Sequence, residues 1–137
     1  MRAAMKNRET QRGSVLLEGL ISILIFSFGI LALVGMQAAA IKSTSEAKYR
    51  TDASFLANQL IGQMWVDDKG TLQTKYQTGG SGYGTWKTQV EATLPGASTN
   101  APTVVFAANN QVTVTVRWQS PGESVPHRFI MRAQVNG

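Results

Sequence analysis

Glu18 poses the sharpest chemical question in this sequence. It stands directly before Gly19–Ile41, a stretch of 23 residues without a charge. A carboxylate drawn toward a bilayer centre costs about 2.5–3.5 kcal/mol, and less near the interface. It needs a partner, for which two sources stand open. One is the headgroup layer beside the positive end of its own helix, a gain of about 0.3–1 kcal/mol. The other is a cation supplied by processing of the chain or by a neighbouring subunit. Elsewhere reactive side chains are sparse. The absence of cysteine excludes a disulfide scaffold, a thiolate zinc site and a cysteine nucleophile. The single histidine, His127, leaves little room for a histidine-rich metal cluster or a Ser-His-Asp triad and reads as a solvated strand-end residue. Asp67 and Asp68 lack the further oxygen ligands that a calcium loop requires and read as a solvated helix end. The glycine-rich stretch Thr78–Gly84 is no phosphate cradle, because no Gly-Lys-Ser/Thr follows it, and it reads as a flexible loop. No catalytic set, metal set or cofactor site is legible, and the sequence does not read as an enzyme.

The elements that must hold Glu18 begin with a basic head. Arg2, Lys6, Arg8 and Arg12 oppose Glu9 alone, so +3 of the net +5 lies in residues 1–13. The pI near 9.9 therefore reports on the head rather than on a basic stripe of a folded surface, and nucleic acid is not an expected partner. A basic head beside an apolar run fixes membrane orientation, with the head in the cytoplasm. At about 1.5 Å per residue the run Gly19–Ile41 reaches roughly 35 Å, enough to cross a hydrocarbon core of about 30 Å. A cleaved secretory signal has a shorter core, about 7–15 residues.

The helical pattern continues past the run. Ala53, Leu56, Ala57, Leu60, Ile61, Met64 and Trp65 recur at helical spacing, and Glu46 and Arg50 form an i,i+4 pair on the other side. No proline precedes Pro95, so one helix is expected from Ser14 to about Val66, apolar all round over 19–41 and amphipathic over 42–66. Gly29 and Gly35 weaken it by about 0.8–1.0 kcal/mol each relative to alanine.

The run Gly13-Ser14-Val15-Leu16-Leu17-Glu18, after a short basic head and before a long apolar helix, resembles a prepilin-type signal. The wider stretch, GLISILIFSFGILALVGMQAAAI with a polar helix ending in LANQLIGQMW, resembles minor pilins of the PilV type from the type IV pilus. The resemblance covers Arg12 to about Trp65. It implies cleavage after Gly13 by a prepilin peptidase, methylation of the new N-terminus at Ser14, and a role for Glu18 in subunit assembly. It further implies an inner-membrane form, a later fibre form, and partners among other minor pilins, the major pilin and a large tip adhesin. Ser14 departs from the phenylalanine that many pilins carry there, and Gly35 stands where major pilins often have a helix-bending proline. The C-terminal disulfide common in the family is impossible here.

Beyond Lys69-Gly70, which closes the helix, residues 67–137 read as a headpiece of loop and strands. Four strands are expected, Trp86–Leu94, Thr103–Ala108, Val112–Trp118 and Arg128–Val135. The third alternates most clearly, and Asn109-Asn110-Gln111 is short enough for a tight hairpin. The fold class is therefore α+β, a long N-terminal helix packed on a small antiparallel sheet. Trp65, Trp86 and Trp118 read as core fillers. Arg117, Arg128 and Arg132 share an exposed strand face and read as a source of solubility rather than a docking strip. Three function classes follow: a minor pilin, a minor pseudopilin of a type II secretion system, and a single-pass membrane protein with a small exported ligand-binding domain.

Overall fold

The computed structural model describes residues 9–135; residues 1–8 of the expected leader lie outside them. The chain divides into two compact units, residues 1–43 and residues 44–137. Its first element, α1 (Glu9–Val66), is a 58-residue helix.

In the first unit α1 is the only element among the described residues. It begins at Glu9, so Gly13 and Ser14 lie inside the helix rather than at its start. The helix passes through Gly29 and Gly35 unbroken, because leucine, isoleucine, alanine and methionine on either side outweigh two glycines. Its large apolar side chains from Val15 to Ile41 are all 47–70% exposed. Within the helix the Ser27 hydroxyl donates to the Ile23 carbonyl of the preceding turn at 2.7 Å.

The second unit is α+β. It holds the rest of α1, α2 (Leu72–Tyr76), α3 (Ser81–Thr93), β1 (Thr103–Phe106), β2 (Gln111–Trp118) and β3 (His127–Gln134). The strands form one antiparallel sheet in the order β1-β2-β3. Val112, Val114, Val116 and Trp118 of β2 point into the core. Their cross-strand partners are Val104 and Phe106 on β1 and Ala133, Met131, Phe129 and His127 on β3. Against this face lie Ala53, Leu56, Ala57, Leu60, Ile61 and Met64 of α1, with Leu72, Tyr76, Tyr83, Trp86 and Val90 from the short helices.

Three of the sequence expectations are corrected. Trp86–Thr93 is helical rather than extended, with Leu94 as the residue that ends the helix, and the sheet has three strands rather than four. Apolar residues at 86, 90 and 94 satisfy a period of two and a helical period alike; Tyr83, three residues before Trp86, completes a helical stripe that buries Tyr83, Trp86 and Val90 together. The expected loop Thr78–Gly84 is accordingly cut short, with α3 starting at Ser81. Gly80 is required there, since a Cβ would stand 2.3 Å from the Lys75 carbonyl oxygen. Trp65 is 56% exposed rather than a core residue. Met64 takes the inward position, and a residue one step further turns about 100° away from the stripe.

Trp86 and Trp118 are buried as expected. The Trp86 indole N–H donates to the Leu56 carbonyl of α1 at 2.9 Å, so this large side chain also has its polar atom paired. The tight hairpin is present, but its turn is Ala108-Asn109-Asn110 and Gln111 already belongs to β2. Asn109 and Asn110 take positive φ, 64° and 57°, and the Ala107 N–H closes the loop on the Gln111 carbonyl at 2.7 Å. Thr78 covers the outer edge of β1. Its backbone N–H donates to the Val104 carbonyl at 3.1 Å, and its hydroxyl accepts from the Val104 N–H at 2.9 Å.

Candidate functional site

The first candidate lies on α1. Gly13, Ser14 and Glu18 are all exposed. Ser14 and Glu18 stand four residues apart, hence on one helix face and about 6 Å apart along the axis. A Cβ added at Gly13 would meet nothing within 4 Å, so alanine fits there without disturbing the helix. The Glu18 carboxylate opens a surface that stays apolar to Ile41, with a shallow notch lined by Leu24, Ser27, Phe28 and Leu31. α1 is long and apolar enough to cross a membrane. A charge at the end of such a surface can serve as an ion-pairing or proton-accepting group whose environment is set by whatever covers the helix.

The second candidate went unread in the sequence. Glu46 turns its carboxylate toward the sheet: Oε1 accepts from the Ser120 hydroxyl, and Oε2 lies 3.5 Å from His127 Nε2. The same nitrogen is hydrogen-bonded to Glu123 Oε2. The imidazole stacks on Trp118, with ring centroids 5.7 Å apart and planes at 19°. His127 is thus half-buried in a polar cluster, not a solvated strand end. Parity along β3 carries the missing signal: Phe129, Met131 and Ala133 face inward, and one more step of two reaches His127. Glu123 is delivered by the turn Ser120-Pro121-Gly122-Glu123. Proline presets its second position, Gly122 at φ 83° supplies its third, and the Glu123 N–H closes on the Ser120 carbonyl at 3.1 Å.

Asp67 is a structural residue. Its carboxylate pairs with the Lys75 ammonium and accepts from the Tyr76 hydroxyl at 2.7 Å, joining the end of α1 to α2. The Lys75 hydrogen bond, then those of Tyr76 and the Asp68 N–H, hold the Asp67 carboxyl down at about 2. Lys75 is raised by the same bond to Asp67, and Tyr76 is raised first by burial and then by Asp67. The second acid, Asp68, accepts from the Gly70 N–H at 3.1 Å as a turn-forming side chain. Arg117, Arg128 and Arg132 do share the sheet face turned away from the core, and Arg117 is anchored by donating to the Ala101 carbonyl at 3.0 Å.

Comparison of the chain with family models, with curated proteins and with solved structures finds no match.

Proposed function

We propose that this chain is a minor pilin of the PilV type, a structural subunit that takes part in initiating and assembling type IV pili. The observation that carries the reading is the uncharged run Gly19–Ile41 on α1, exposed along its length and headed by Glu18. Apolar surface gains about 25 cal/mol per Å² on leaving water. Nothing among the described residues of the first unit supplies that cover, so lipid does so at first and sister helices afterwards. In this reading residues 1–13 remain in the cytoplasm until the peptidase cuts after Gly13, and the remainder is held in the inner membrane before it enters the fibre.

Burial of several hundred Å² per subunit drives assembly strongly but without direction. A carboxylate at Glu18 facing the methylated ammonium of Ser14 on a neighbour provides the register. A desolvated pair adds little net stability, yet leaving either charge buried and alone is strongly destabilising. Wrong registers are rejected for that reason. The second unit then distinguishes this subunit from its neighbours in a complex with other minor pilins, the major pilin and a tip adhesin.

Mass spectrometry of sheared fibres tests the reading. A methylated peptide beginning at Ser14 is expected there. In Gly13→Ala the uncleaved precursor should persist, heavier by the 13-residue head. An N-terminus other than Ser14 on the mature chain sinks the proposal, and recovery of the Ser14 peptide only beside secretion-system components transfers the chain to the pseudopilins.

A further inference from the structure

Three side chains from distant stretches converge in the second unit: Glu46 from α1, Glu123 from the β2–β3 turn and His127 from the first position of β3. We propose that they form a binding site for a divalent transition ion of the zinc class, a staple tying α1 to the β2–β3 turn. One imidazole nitrogen and two carboxylate oxygens lie within 4.8 Å of one another, with Glu46 Oε2 3.5 Å from His127 Nε2. An ion with bonds of about 2.0–2.2 Å in a tetrahedron spaces its ligands roughly 3.3 Å apart, so modest side-chain adjustment creates the site. Charge favours it too. Nε2 offers a single N–H, yet two carboxylates face it, whereas one doubly charged cation can take both as ligands.

The donor set selects the ion. An imidazole nitrogen argues against calcium and magnesium, which take oxygen ligands, and three protein ligands leave a fourth position for water. The ligands are already oriented by their surroundings, as such sites require. The Ser120 hydroxyl holds Glu46 Oε1, leaving Oε2 toward His127. Trp118 fixes the imidazole plane by stacking. The Glu123 backbone is braced by Gln119 Nε2, which donates to its carbonyl at 2.7 Å. Small domains without disulfides gain most from a metal cross-link, and this chain has no cysteine. The inference does not rest on the pilin reading.

The test uses the full chain in detergent, stripped with a chelator and titrated with Zn²⁺ by calorimetry. One saturable site is expected, weakened at least tenfold in His127→Gln and in Glu46→Gln and unchanged in Asp68→Asn. At Zn²⁺ 100-fold above Kd the folding equilibrium constant of the second unit should rise about 100-fold. Should either glutamine variant fail to fold by far-ultraviolet circular dichroism, Co²⁺ bound to the unaltered chain decides. Intense visible bands of a low-coordinate ion support the site, and the spectrum of hydrated Co²⁺ alone overturns it. Absence of saturable Zn²⁺ binding, or equal binding by a folded His127→Gln, also overturns it and leaves the cluster as a histidine paired with two carboxylates.

Discussion

The two stretches of α1 obey the same backbone rule and opposite side-chain rules. Between Val15 and Ile41 the large apolar residues encircle the helix and are exposed all round. Between Ala53 and Met64 all but the exposed Phe55 form one stripe and are buried with α3 and the sheet. Hydrogen bonding is complete within a helix whatever surrounds it, so helicity by itself is no sign that the side chains have found their solvent. The second stretch finds that solvent within its own chain. Among the described residues the first does not; in the function proposed above, lipid and then other helices supply it.

Substitutions that separate these two demands would break or sharpen the contrast. The largest effect is expected from Glu18→Ala. It should insert in membranes and leave the second unit's melting unchanged while its content in sheared fibres falls severalfold or more, read by immunoblot. Normal incorporation would remove the register role. Next comes Trp86→Ala, which deletes a buried indole and its bond to Leu56; chemical denaturation should show a loss of about 3–5 kcal/mol. A matched pair follows. Leu60→Ala should cost the second unit about 2–5 kcal/mol, whereas Leu24→Ala should move it by less than about 0.5 kcal/mol. Equal effects would show that the two stretches share one solvent.

The smallest effect concerns Asp67. Its carboxyl is held at about 2 in the folded chain against an ordinary 3.8. A lowered folded pKa means stability that is full above 3.8 and is lost as pH falls toward 2. Asp67→Asn should therefore flatten the acid-unfolding profile between those values, monitored by near-ultraviolet circular dichroism; a profile unchanged from the unaltered chain would remove the Lys75 and Tyr76 bonds from the account.

Much of this architecture was legible from residue order. The uncharged run, the stripe from Ala53 to Met64, the β2 alternation and the Asn-Asn hairpin are local patterns whose periods admit one reading. Trp86–Leu94 admitted two, and the choice fell to Tyr83, which lies outside that window. Trp65 continues the helical spacing of the stripe yet lies one residue beyond the arc that faces the sheet, which ends at Met64. The acid–histidine cluster was invisible for a different reason. Glu46 has a plausible local partner in Arg50, and only the packing of α1 against the β2–β3 turn offers Ser120 and His127 instead.

The sequence by itself determined where this chain is greasy, where it is charged, and that Glu18 sits at the border, because those properties depend on composition and on the period of a single element. Tertiary structure alone decided which polar side chains meet. Glu46, Glu123 and His127 converge through the packing of a helix, a turn and a strand, and no local propensity encodes a distance between residues so far apart in the chain.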